Sequence, residues 1–312
     1  MAGTENSPVS VKPDDAPLAG ALWMVGACLG FAAMAGIIRH VSAELHPFEI
    51  AFFRNFFGLA FMMPWLARVG WGGLKTQRIG LYTVRGITGL AAMLAWFWAI
   101  TILPLAEATA LSFTAPLFAT ILAVFVLAEV VRARRWAAIL VGFVGALIIL
   151  RPGVQEIGWP TLAVLFSSLL MATSTVMIKI LSRTEPTSAI VTYMVIYLTP
   201  MSLIPALFVW ETPSWTTLAW LIALGGVATA AHQCITRSFT VAEASAVMPF
   251  DFTRLIFAAL IGYFFFGQIP DLWSGIGAAV IVAASVYVAH REAVVARSAK
   301  AARDTAAERV GR

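Results

Sequence analysis

The stretch AVMPFDFTRLIFAALIGYFFF, Ala246 to Phe266, sets Pro249, Asp251 and Arg254 into an almost wholly apolar run. A helix needs about 20 apolar residues to cross the hydrocarbon core of a bilayer, and this run has that length. An ionised side chain at the centre of such a helix costs about 2.5–3.5 kcal/mol on insertion scales, so it persists only when paired or facing water. Asp251 and Arg254 stand three residues apart and share one helical face. Two readings follow. The pair neutralises itself away from lipid, or it faces a cavity in which Asp251 takes a proton or cation and Arg254 a substrate carboxylate. Arg85, in another apolar run, is a second candidate partner for Asp251.

The rest of the chain is of the same kind. Of its 312 residues 60% are hydrophobic and 12% charged, against about 25% charged in soluble domains. Apolar runs predict ten spans, at 17–39, 48–68, 79–101, 105–128, 134–151, 158–181, 187–209, 215–237, 243–266 and 271–290. The connecting loops are short, so any function resides within the bilayer. Residues 1–16 read as a cytoplasmic tail, and the run after them as a retained first span, since the tail lacks a basic signal-peptide n-region. Residues 291–312 read as a basic cytoplasmic tail in reach of anionic lipid. With the N-terminus inside, sixteen Lys and Arg fall on the cytoplasmic side, and only Arg39 and Arg151 on the other. Positive residues mark the inside, so both termini are expected there. The net charge of +5 is thus accounted for by topology, and nucleic acid is not an expected partner.

The chain also repeats itself. PLAEATALSFTAPLFATIL from Pro104 parallels TVAEASAVMPFDFTRLIF from Thr240, with Glu107 on Glu243 at a shift of 136. Trp136 aligns with Trp273 at 137, and Pro47 with Pro186 at 139. Five spans in 17–151 thus match five in 158–290, and an odd number per half requires opposite insertion. The fold class predicted is an all-α membrane protein of ten transmembrane helices, built as a 5+5 inverted-topology repeat, an architecture of secondary transporters.

Prolines at 64, 116, 200, 205 and 249 interrupt spans and free backbone carbonyls. Pro116 and Pro249 fall in corresponding fourth and ninth spans, which points to a site there. At the shift of 136, Pro116 pairs with Phe252, three residues past Pro249. Simple kinks are the alternative. Glu107 and Glu243 suit the first turn of a helix through its dipole, or else they contact substrate. Gly26 and Gly30 read as small residues for close packing, within the bundle or in a loose dimer. Trp96, Phe97 and Trp98 read as an interface belt, or with one Trp lining a cavity. Arg54 and Asn55 are further polar residues at bilayer depth, toward the outer side. Cys28 and Cys234 read as small hydrophobes, and no metal-ligand spacing, H-E-x-x-H or GxxxxGK[ST] occurs.

On AEASAVMPFDFTRLIFAALIGYFFFGQIPD (242–271) and AEATALSFTAPLFATILAVFVLAE (106–129) the chain resembles the drug/metabolite transporter superfamily, EamA type, over residues 17–290. The family commonly carries Gly-Glu near the end of the ninth span. Here Gln268 follows Gly267, while Glu129 matches the acid of the first half. The resemblance implies a carrier without cofactor or catalysis, in the bacterial inner membrane. Its path runs between the halves near spans three, four, eight and nine. The aromatic density looks like that of exporters of aromatic and neutral amino acids. Importers of riboflavin or S-adenosylmethionine are the alternative, and a non-transporting scaffold the rival of another class. On that path the candidates are Tyr82, Arg85, Trp96, Thr109, Ser112, Pro116, His232, Gln233, Ser245, Pro249, Asp251 and Arg254. Proton coupling through Asp251 and the choice of monomer or loose dimer stay open.

Overall fold

A computed structural model describes residues 17–69, 76, 78–127, 133–151, 158–181, 187–241, 247–284 and 286–287, and every regular element among them is helical. In chain order these are α1 (Pro17–Val41), α2 (Pro47–Val69), α3 (Ile79–Ile102), α4 (Leu105–Ser112) and α5 (Ala115–Leu127). They continue with α6 (Ala133–Leu150), α7 (Trp159–Leu181), α8 (Thr187–Leu207) and α9 (Trp215–Val241). A 3-10 turn (Met248–Phe252), α10 (Thr253–Phe266) and α11 (Leu272–Ala284) complete the order.

Local chemistry sets the boundaries. Pro47 opens α2 and Pro104 immediately precedes α4, positions where a missing N–H costs nothing. Ser214 caps α9, its Oγ accepting from the Thr217 amide at 3.2 Å. α10 stops at Gly267, whose φ of 63° is left-handed. The Gly267 amide returns to the Tyr263 carbonyl and the Gln268 amide to that of Gly262, at 3.1 and 2.9 Å.

Among the described residues, five helical spans are long and apolar enough to cross a membrane: Leu18–Val41, Ile79–Ile102, Leu105–Val126 (α4 and α5 together), Trp159–Ile178 and Trp215–Val241. Ile139–Leu150, Ile196–Leu207 and Leu272–Ala284 are shorter apolar helices. Large side chains such as Phe125, Phe264 and Phe265 are exposed on the outside of the bundle, which water would penalise and lipid accepts. This is a multi-pass membrane protein.

Two predicted spans are broken. Residues 105–128 divide into α4 and α5 at Phe113–Thr114, and Pro116 is the second residue of α5 rather than a mid-helix kink. The proline ring would strike the Ser112 carbonyl in a continuous helix, and the residue before a proline avoids the α region, so the break falls just ahead of it. Among the described residues of 243–266, Val247 is α-helical, Met248–Phe252 form the 3-10 turn, and regular α-helix resumes at Thr253. Asp251 therefore lies in the 3-10 turn with Pro249, and Arg254 in the first turn of α10, not in the middle of one helix as expected.

Packing is close and reciprocal. α1 runs antiparallel to α9: the Ser238 hydroxyl donates to the Gly20 carbonyl at 2.7 Å, and the His40 and Trp220 rings lie 5.2 Å apart. Gly26 and Gly30 both face α9, and a Cβ on Gly30 would come within 2.8 Å of the Ala231 methyl, so this pair serves packing inside the chain. α3 runs antiparallel to α7, with Ser167 Oγ donating to the Ala92 carbonyl at 2.7 Å and Tyr82 sharing a buried cluster with Leu181. α6 crosses α11 at Gly145 and Gly277, each lying against the other's carbonyl.

One end of the bundle, here the upper end, carries the loops α1–α2, α3–α4 and α8–α9. Contacts there join residues far apart in sequence. Glu44 accepts from the Ser214 amide (2.6 Å), the Ser214 hydroxyl (3.0 Å) and the Thr217 hydroxyl. Glu49, fully buried, accepts from the Glu211 amide at 3.0 Å. Gln268 Oε1 accepts from the Leu105 amide at 2.9 Å, and Arg151 pairs with Asp271.

Hydrogen bonds from Thr217, and then from the Ser214 amide, hold the Glu44 carboxyl below its ordinary value of 4.5. A carboxyl with a depressed folded-state pKa stabilises the fold above its unfolded value, and that contribution is lost as pH falls through the folded value. The melting temperature of the purified protein is therefore expected to hold down to about pH 5 and decline in more acid buffer. Glu44→Gln should lower it at neutral pH and flatten the acid decline. The same acid slope in wild type and variant would exclude Glu44 from this role.

Candidate functional site

The two breaks meet. Phe113, at the end of α4, and Phe252, at the end of the 3-10 turn, approach with ring centroids 4.8 Å apart. The Arg254 guanidinium lies over the Phe113 ring, Cζ 4.9 Å from its centroid, an arrangement favourable for a cation in a dry setting. Arg254 Nη2 stands 3.6 Å from Asp251 Oδ2. The pairing legible in the sequence is thus present, and both side chains are only partly buried. Arg254 Nε is buried and, among the described residues, donates to nothing.

Cys28 of α1 reaches the same place. Its thiol lies 3.4 Å from the Asp251 carbonyl and 3.6 Å from both Asp251 Oδ1 and the Phe250 carbonyl. The sequence reads Cys28 as a small hydrophobe. It is indeed fully buried, yet it also serves as a weak donor to the unwound carbonyls of the 3-10 turn. Hydroxyls at the breaks satisfy their own backbones: Ser112 Oγ donates to the Thr109 carbonyl, Thr114 Oγ1 to Leu111 and Thr253 Oγ1 to Phe250, each at 2.7 Å.

Of the other described candidates, two prolines flank the junction and the rest lie on α3, α4 and α9. Thr109 is buried and bonds to the Leu105 carbonyl at 2.7 Å. Pro116 follows the first break and Pro249 lies in the 3-10 turn. Tyr82 and Arg85 are both buried on α3 against α8. Tyr82 stacks on Tyr193 at 4.3 Å, and Arg85 Nη2 lies 3.5 Å from Met194 Sδ. Trp96 packs partly buried against the main core, 6.1 Å from the Phe97 ring. His232 and Gln233 are exposed on α9, and the His232 ring meets Phe31 edge-on at 5.1 Å. Ser245 and Glu243 lie outside the described residues.

A second polar group links α2 and α8. Arg54 Nη1 donates to Asn55 Oδ1 at 2.9 Å, and the buried Asn55 amide donates to Ser202 Oγ at 3.2 Å. Only the presence of Arg54 and Asn55 in an apolar run signals this group in the sequence. Ser202 carries no such signal.

Two parts of the chain, residues 18–151 and 158–289, match the model of the EamA-like transporter family. The chain is 34% identical over 284 residues to a riboflavin transporter from Vibrio cholerae, covering 88% of this chain and 94% of that one. It is 31% identical over 254 residues to an S-adenosylmethionine uptake transporter from Rickettsia prowazekii, with 81% and 86% covered. A pseudopaline exporter from Pseudomonas aeruginosa is 30% identical over 275 residues, with 86% and 94% covered. One solved crystal structure shares the fold, with a TM-score of 0.58 at 18% identity over 85% of this chain and 94% of that one.

Proposed function

The chain belongs to the EamA-like transporter family, and from that premise we propose that it is a secondary carrier moving a small metabolite by alternating access between its two halves. The observation that carries this reading is the meeting of the two broken helices, one from each matched segment, at Phe113, Phe252 and Arg254. Discontinuous helices at the interface between repeats are where transporters of this kind hold solutes.

In this reading ten spans form two oppositely inserted halves in a bacterial inner membrane, with both termini cytoplasmic. Residues 17–151 and 158–290 form those halves, flanked by tails 1–16 and 291–312. The reciprocal antiparallel packing of α1 on α9 and of α3 on α7 supports it, because exchanging the halves turns one contact into the other. The path passes the twelve candidates on the third, fourth, eighth and ninth spans, and Asp251 is the group through which protons would couple. The substrate we favour bears an amino-acid group, as exported aromatic and neutral amino acids do. A second reading, uptake of a larger metabolite with a fused ring system, is favoured by the names of the relatives from Vibrio cholerae and Rickettsia prowazekii.

Purified protein in lipid vesicles tests this. Labelled L-phenylalanine, S-adenosylmethionine and riboflavin are each offered with and without a pH gradient. At least one is expected to cross faster than in protein-free vesicles. Three fluxes equal to that background would contradict the carrier.

A further inference from the structure

Arg54 is the eighth residue of α2, so about 10 Å of helix lies between it and the upper end of the bundle. A cation at such depth is costly unless something neutralises it. Among the described residues, Arg54 has no acidic partner within ion-pair distance. Glu49, on the same helix, accepts from the Glu211 amide through Oε1 and forms no ion pair with Arg54, its buried Oε2 having no partner among the described residues, and Asp251 is paired with Arg254.

The way the guanidinium is held is informative. Nη1 donates to Asn55 Oδ1 at 2.9 Å. Asn55 is itself fixed from its other end by Ser202 Oγ, at 3.2 Å, and its Nδ2 lies 3.9 Å from Met93 Sδ. Ser202 in turn donates to the Thr199 carbonyl at 3.0 Å. This buried chain from α8 orients Arg54 through one nitrogen. It leaves the edge formed by Nε and Nη2 without a protein partner among the described residues, and Nε is buried. That edge is the fork that receives a carboxylate through two parallel hydrogen bonds. His232 of α9 is exposed and lies within electrostatic reach of Arg54.

We propose that Arg54 binds a carboxylate of the transported solute, with Asn55 and Ser202 as positioning residues, so that the substrates are amino acids and amino-acid-bearing metabolites. This rests on the carrier reading above and narrows it. A neutral flavin carries no carboxylate to neutralise this guanidinium, whereas free amino acids and S-adenosylmethionine do. The bound carboxylate supplies the missing counter-charge, so the loaded carrier presents a neutral site to the membrane while the empty one holds a bare cation.

The test uses the full chain in nanodiscs of phosphatidylcholine, where no anionic headgroup competes. Binding is measured for pairs that differ in the carboxylate: L-phenylalanine against phenethylamine, and S-adenosylmethionine against its decarboxylated form. In each pair that binds, the carboxylate compound is expected to bind at least tenfold more tightly. Arg54→Gln should abolish the difference, and Arg54→Lys should keep part of it. Asn55→Asp supplies an internal carboxylate that competes for the guanidinium and also neutralises it. It should fold at least as well as wild type and still lose the preference, which separates recognition from a folding defect. Equal binding within the pairs, an unchanged preference in Arg54→Gln, or binding by none of the four overturns the proposal. Addition of phosphatidylglycerol suppressing binding only in the presence of Arg54, with no preference within the pairs, would assign the fork to lipid phosphate and overturn it too. Riboflavin crossing the vesicles while the carboxylate preference is absent would sink this proposal and leave the carrier reading standing.

Discussion

Arg254→Ala is expected to lower the rate of transport tenfold or more in reconstituted vesicles, while the double variant Asp251→Asn/Arg254→Gln recovers much of that loss. Asp251 and Arg254 neutralise each other at 3.6 Å beside the junction of the two broken helices. Removing one partner of a pair strands the other charge, at a cost of about 3–5 kcal/mol where the pair is fully buried and less where, as here, burial is partial. Removing both charges with near-isosteric amides avoids that cost. The Arg254–Phe113 contact adds to the loss in the single variant, because it joins the α10 side to the α4 side. Asp251→Asn separates the pair's structural role from proton coupling. If the variant transports at the wild-type rate and responds to a pH gradient as wild type does, Asp251 carries no proton. If the double variant is as impaired as Arg254→Ala, the deficit lies in the guanidinium itself and not in a stranded carboxylate.

The largest effect on stability is expected at the α6–α11 crossing. A Cβ on Gly145 would lie 2.9 Å from the Gly277 carbonyl and from the Ile281 amide nitrogen, and one on Gly277 2.6 Å from the Gly145 carbonyl. These obstacles are backbone atoms, which cannot rotate aside, so the helices must separate and lose packing along their length. Gly145→Leu should cost at least the upper end of the about 1–3 kcal/mol typical of overpacking, and Gly145→Ala a smaller part of it. At Gly275 and Gly89 an added Cβ would meet nothing within 4 Å. Alanine there should be neutral or slightly stabilising, because it reduces the freedom of the unfolded chain. Thermal melts of the four purified variants provide the comparison, and a Gly145→Leu protein as stable as Gly275→Ala would refute the crossing geometry.

How much of this was legible in the sequence depends on the range of the interaction. Spans follow from apolar run length, a property of local composition, and α1, α3, α7 and α9 lie close to their expected limits. The Asp251–Arg254 pair was legible because three residues on a helix fix the distance. Pro116 and Pro249 correctly marked where helices break, but the breaks sit before Pro116 and around Pro249, and it takes the steric demand of the ring on the preceding turn to say so. What stayed hidden was the company these groups keep. Cys28 reaching Asp251 across 223 positions, or Ser202 fixing Asn55 across 147, has no local signature. Gln268 is instructive in another way. Where the family commonly has glutamate, its amide oxygen caps the Leu105 amide at the start of α4, a task that needs an acceptor and not a charge.

The contacts at the upper end are lopsided in one respect. Glu49 and Gln268, and Glu44 in part, supply side-chain oxygens, while the partners are the main-chain amides of Glu211, Leu105 and Ser214. A main-chain donor survives any substitution except proline. Sequence change at Glu211 can therefore proceed with little penalty to its contact, whereas Ser214 also uses its hydroxyl toward Glu44, and Leu105, whose side chain is buried in the core, needs only to stay apolar. Each of the three oxygen-bearing side chains, by contrast, can be lost in a single codon. A saturation scan should find intolerance concentrated at 44, 49 and 268, free exchange among apolar residues at 105, and near indifference at 211, proline excepted at both, though all five residues take part in the same closures.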